Sequence, residues 1–214
     1  MQMDNVQQVR EAMDSFALAP AREPLLTNPT EVCKAIAELK VGKAPGPNGV
    51  PNRVLRNLPQ KAVIFLTKGF NAVLYPAVCK HARIISMLKP GKDPALPSSY
   101  RPISLLDTVG KLFEKLLLSR IMAEISSRGL LRGELFGFRP GLSTTLQLAR
   151  LVERVKRNFD EKRLTGAVFL YVAKAFDSVW IKCLLFKLTI LEFTSYLVKL
   201  ITSYLHSRTF VAAF

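Results

Sequence analysis

Cysteine and histidine are scarce. Cys33, Cys79 and Cys183 lie far apart among 214 residues, and there are two histidines. No C-x-x-C occurs and two histidines cannot complete a zinc set. The thiols read as reduced core or surface groups of an intracellular protein. Long apolar runs are also missing. None approaches the ~18 residues that span a bilayer, and the opening MQMDNVQQVREAMDSF holds no apolar signal core. No membrane is expected as a partner, and no targeting signal separates nucleus from cytoplasm. Repeats and low-complexity tracts are absent. Acidic residues are few, 16 against 31 basic, for a net charge of +15. The surplus lies wholly after residue 31, because residues 1–31 are slightly acidic. A basic globular body fits a polyanion, nucleic acid first, and general solubility charge is the plainer alternative. At 49% hydrophobic residues the chain has material for a core.

Residues 1–27 read as a linker or frayed helix broken by ALAPAREP. At NPTE, Asn28 suits an N-cap, Pro29 the first helical position and Glu31 a capping box. Val32, Ala35, Ile36 and Leu39 then share one face. Residues 42–53, GKAPGPNGVPNR, form a turn-rich loop flanked by Lys43 and Arg53, readable as a phosphate cradle or as a stiff connector. Helices are expected near 51–58 and 61–74. ARIISMLKPGKD at 82–93 reads as a strand entering a basic turn, and SSYRPISLL at 98–106 as the strand returning. Asp107 should cap a long helix with Val109, Leu112, Phe113, Leu116 and Leu117 inward. After the loop 137–145, a helix capped by Ser143 should bury Leu148, Leu151, Val152, Val155 and Phe159 while showing Arg150, Arg154 and Arg157. TGAVFLYV at 165–172 has the β-branched and aromatic content of a buried strand. Helices near 179–188 and 194–205 follow, and 207–214 starts a further strand.

Five segments in order carry a resemblance: KAPGPNG at 43–49, LKPGKD at 88–93, YRPISLLDTVGKLFEK at 100–115, FGFRP at 136–140 and VAKAFD at 172–177. Together they resemble the reverse transcriptase of jockey-like non-LTR retrotransposons over essentially the whole chain. The resemblance implies an α+β fold: most of the fingers over 28–164 and the first part of the palm of a right-hand polymerase over 165–214, without a thumb. It implies RNA-directed DNA synthesis, with RNA or DNA and, in the intact family, a deoxynucleoside triphosphate as partners, and with the rest of a retrotransposon polyprotein if the truncation is artificial. By the same likeness Arg101 is the arginine that binds the incoming triphosphate, with Lys89 or Lys92 beside it. Lys174 and Ala175 form the turn that holds the triphosphate, and Phe176 is the aromatic gate. Arg139 lies on the template side, and Arg150, Arg154 and Arg157 line the same groove or form a solvated helix face. Without the resemblance Lys89 and Lys92 read as solvated loop and Phe176 as core.

Nucleotidyl transfer uses two metal ions held by rigid, closely spaced carboxylates. The family places an aspartate where this chain has Tyr171, and a phenol cannot replace a carboxylate on a hard cation. Asp177, past the turn, is present in the family in addition to that aspartate. The chain also stops at Phe214, before the family's second carboxylate motif. Leu135 stands for a usual glutamine and Asn48 for a common aspartate. The stretch 71–82 lacks a few residues and a tryptophan near Cys79. The pattern is that of a truncated, degenerate copy. As written, no catalytic residue is intact, no metal is expected to be held although the intact family uses Mg2+, and the chain should be inactive. The competing readings are a non-catalytic basic module that holds RNA or DNA weakly, and the functionless product of a decayed mobile element.

Overall fold

In a computed structural model of the chain, the described residues are 26–72 and 80–213, with Gln7 and Glu11 singly. The expected linker over 1–27 falls almost wholly outside them, as do Cys79 and most of the shortened stretch before it. The order is α1 (Pro29–Ala37), α2 (Asn52–Arg56), α3 (Gln60–Asn71), β1 (His81–Leu88), β2 (Tyr100–Leu106), α4 (Thr108–Ser127), α5 (Thr144–Asp160), α6 (Ile181–Ile190), α7 (Ser195–Leu205) and β3 (Thr209–Ala213), with a short 3-10 turn at Pro97–Ser99. The fold is α+β. No helix among the described residues is long and apolar enough to cross a membrane. The chain divides into two compact units, residues 1–121 with 180–214, and residues 122–179.

The first unit holds the core. Its entrance is fixed by the capping box at α1: the Asn28 side chain accepts from the Glu31 N–H at 2.8 Å, and the Glu31 carboxylate accepts from the Asn28 N–H at 3.2 Å. Val32, Ala35, Ile36 and Leu39 are buried as their spacing requires. Thr27 and Asn71 exchange two hydrogen bonds of 2.7 and 2.8 Å, tying the start of α1 to the end of α3. Arg120 donates to the Thr27 hydroxyl at 3.0 Å. Phe70 stacks on Phe113 at 6.0 Å. Leu112, Phe113, Leu116 and Leu117 of α4 are buried, while Val109 is only half-buried. Leu185 of α6 and Leu197, Val198 and Ile201 of α7 complete the interior.

β1 pairs antiparallel with β2, and β3 adds in parallel on the other side of β1. The register sets Ala82 against Leu106, both buried, at one end, and Leu88 against Tyr100 at the other. The core therefore meets the sheet at its Ala82–Leu106 end. Strand alternation puts Ile103 and Leu105 of β2 on one side, expected to face the core, but Ile103 is exposed and Leu105 half-buried, and Leu106 enters the core instead. Alternation picks the side of a strand but not the point along it where the cover ends.

The second unit has no buried side chain at all. α5 forms where expected, with the Ser143 hydroxyl accepting the Leu146 N–H at 3.2 Å. Its apolar stripe is not buried, however. Leu148, Leu151, Val152 and Phe159 are exposed and Val155 half-buried. The expected strand over 165–172 does not form either. That segment has no ladder partner among β1–β3, and Val168, Phe169, Leu170 and Tyr171 are each more than 80% exposed. Strand propensity reflects a fit to neighbouring strands, and without one the backbone has no ladder to join.

Candidate nucleotide and nucleic-acid site

The first unit carries Lys89, Lys92 and Arg101 at the end of the β1–β2 hairpin farthest from the core. The turn is built by its own bonds. The Lys89 N–H donates to Ser99 O at 2.8 Å and the Lys92 N–H to Lys89 O at 3.2 Å, and the Asp93 carboxylate accepts the Ala95 N–H at 2.9 Å. Gly91 takes a positive φ of 70°, which a side chain would strain. The Lys89 ammonium is engaged inside the turn, donating to Ser98 O at 2.7 Å. Lys92 and Arg101 are exposed, and Arg101 sits opposite Met87 in the ladder. The hairpin thus presents two cations on a rigid stem, and the third locks the turn.

Behind β2, the loop KAPGPNG is clasped onto the start of α4. The Asp107 carboxylate accepts the Asn48 N–H at 2.9 Å. The Lys111 ammonium donates to Ala44 O at 2.6 Å. The Thr108 hydroxyl donates to Val50 O. A Cβ on Gly46 would lie 2.5 Å from Asp107 Cα, so only glycine admits this approach. Here the stiff-connector reading gains direct support, because the loop's contacts are spent on the fold. The signal was present as two family segments, 43–49 and 100–115, but neither revealed that they touch.

The second unit carries the remaining candidates. Arg139 donates to Arg132 O at 3.2 Å and Leu135 O at 3.3 Å, folding back on its own loop. Arg150 donates to Gly133 O at 3.3 Å, pairs with Glu134 at 3.7 Å and lies 5.7 Å over the Phe136 ring. Arg157 pairs with Glu153 at 3.5 Å. Arg154 makes no ion pair among the described residues. Gln147, Arg150, Arg154 and Arg157, with Leu151 and Glu153, line an open recess of about 410 Å³ on α5. Their three- and four-residue spacing places them along one helix face. The apolar reading of Phe176 as core fails, since it is 78% exposed. It meets Phe138 edge to face at 5.8 Å, which brings FGFRP and VAKAFD together. Phe138 had no assigned role, and only the F-x-F repeat around Gly137 hinted at it. Lys174 and Ala175 lie in the turn, with Lys174 at φ 50° and its carbonyl accepting the Ser178 N–H at 3.1 Å.

The donor set at this turn does not fit magnesium. Tyr171 supplies a phenol that is 91% exposed, and the nearest carboxylate in the chain is Asp177. Mg2+ is held by oxygen ligands that include one or two carboxylates in near-octahedral array. Among the described residues no three His, Cys, Asp or Glu side chains converge.

The family model for reverse transcriptase (RNA-dependent DNA polymerase) matches residues 87–213, and the chain belongs to that family. Its curated relatives narrow the likeness. It is 36% identical over 217 residues to a probable RNA-directed DNA polymerase from transposon BS of Drosophila melanogaster, covering 98% of this chain and 24% of the relative. It is 38% identical over 200 residues to the RNA-directed DNA polymerase from mobile element jockey of Drosophila funebris, covering 91% of this chain and 21% of the relative. The chain spans about a quarter of the length of these relatives.

Proposed function

We propose that this chain is the fingers and opening palm segment of a non-LTR retrotransposon reverse transcriptase whose first metal position has been lost, and that it binds nucleic acid without catalysing synthesis. Residues 28–164 correspond to the fingers and 165–214 to the start of the palm. By the family likeness Arg101 and Lys92 serve an incoming triphosphate, with Lys89 shaping their turn, and Lys174, Ala175 and Phe176 are likewise assigned to the nucleotide. Arg139 and the α5 arginines serve the template side. The observation that carries the loss of activity is Tyr171. A neutral phenol at the position of a metal-binding carboxylate removes the negative oxygen that clamps the catalytic ion.

The decisive experiment is a chimera in which residues 87–213 of this chain replace the matched segment of the jockey polymerase. It should extend a primer no better than a no-enzyme control, with magnesium or manganese. The same chimera carrying Tyr171→Asp should regain extension. Activity with Tyr171 in place would sink the reading. The second reading, a retained binding module, is favoured by the Arg154 guanidinium on the α5 face, which makes no ion pair among the described residues. Salt-sensitive binding by the folded chain tests it.

A further inference from the structure

Two large rings stand open to solvent at one place in the second unit. Phe138 is 95% exposed and Phe176 78%. They nevertheless meet, with centroids 5.8 Å apart and planes at 82°, the edge-to-face arrangement that aromatic quadrupoles prefer. The backbone at Phe138 is held at φ 58° and that at Lys174, two residues before Phe176, at φ 50°. A left-handed conformation is costly for a bulky residue and persists where surroundings or function impose it. Burial gives no return here, because neither ring is covered. Arg150 pins the neighbouring Phe136 through its ring face, so the loop that projects Phe138 is anchored from α5.

The surrounding charge selects the ligand. Between residues 122 and 179 there are ten basic and six acidic residues. Lys174 is exposed and makes no ion pair among the described residues. An open aromatic face near an exposed cation, here Lys174, is the arrangement that holds a single strand, where bases stack on rings and phosphates meet the charge. We infer that Phe138, braced edge-on by Phe176, is a stacking platform for an unpaired nucleobase of a single-stranded nucleic acid. This rests on the nucleic-acid reading above and deepens it. It also differs from the gate role that the resemblance implies for Phe176, because the ring that takes the base is Phe138.

The test uses the 214-residue chain and two labelled strands of equal length and charge, oligo-dT and an abasic spacer strand. Phe138→Leu keeps apolar volume but removes the π face, and Phe138→Trp keeps that face. Circular dichroism reports folding. Oligo-dT should bind about tenfold more tightly than the abasic strand, in line with stacking on one ring. Phe138→Leu should erase that difference, Phe138→Trp should retain it, and the salt dependence should be the same in all three proteins. Equal binding of the two strands by the unmodified chain overturns the platform and leaves nucleic-acid binding standing. No binding of either strand overturns both. An equal loss on both strands in Phe138→Leu makes the ring structural and overturns the platform. So does a change in sedimentation without a change in the dT-to-abasic ratio, which would assign the rings to contact between two copies. If Phe138→Leu fails to fold, Phe138→Met takes its place with the same outcomes.

Discussion

Two residues of the first unit show how local chemistry sets stability. The Tyr204 hydroxyl on α7 donates to the Glu114 carboxylate on α4, and Arg208 lies 4.4 Å over the same ring. Burial first, and then the Glu114 carboxylate, push the Tyr204 phenol up to about 12 from its usual 10. The folded chain therefore holds this proton more tightly than the unfolded chain. The resulting stability is complete below about pH 10 and is lost as pH rises through about 12. Urea unfolding at a series of alkaline pH values should show that decline, and Tyr204→Phe should flatten it while costing roughly 1 kcal/mol at neutral pH. Gly46 gives a steric counterpart. Gly46→Ala forces a methyl into the Leu106–Asp107 backbone and should destabilise by about 1–3 kcal/mol. Gly42, with nothing within 4 Å of its Cβ position, should accept alanine within about 0.5 kcal/mol. Thermal melts of the two variants separate these outcomes. Equal effects would mean that the loop is not clasped.

Among the elements, the segment 165–172 is the weakest. It is uncharged, lacks proline and is apolar along most of its length, and its backbone enters no ladder. Such a segment is a template for pairing with other chains. Its amides should exchange with solvent at nearly unprotected rates while those of Leu112–Leu117 in α4 stay protected, and the chain should self-associate. Val168→Lys places a charge in the segment at an 87% exposed position and should suppress association without lowering the melting temperature. Analytical ultracentrifugation would show it, and a monodisperse unmodified chain would refute the idea. The same elements show what was legible beforehand. The α1 capping box, the β1–β2 hairpin and the Ser143 cap follow from residues close in sequence, and the structure has them. Burial of α5, the strand at 165–172 and inward placement of Ile103 all depend on a partner elsewhere in the chain. A pattern tells which face is apolar, not whether anything lies against it. The site divides likewise: the family likeness singles out Lys89, Arg101 and Phe176 by segment, but the exposed pairing of Phe138 with Phe176 and the bond of Lys89 to Ser98 join residues that no one segment holds.

For the whole molecule, charge governs the partner. If Arg150, Arg154 and Arg157 each neutralise one phosphate of a single strand, a fourfold rise in salt should weaken binding roughly twentyfold. Arg154→Gln should lower the slope of log affinity against log salt by about 0.7. Fluorescence anisotropy across a salt series measures both, and a flat series would reduce the net charge of +15 to a solubilising role. The order of the units along the chain has a kinetic side. β3 pairs with β1 in parallel, and the His81 ring meets the Thr209 hydroxyl across 128 residues. The whole 122–179 unit lies between those partners in sequence. On a ribosome adding about 5–20 residues each second, the β1–β2 hairpin, complete at Leu106, waits roughly 5–21 s for β3, which ends at Ala213. Throughout that interval one flank of β1 lacks its partner strand and can pair with another chain, so slower translation should lower the yield of the native sheet.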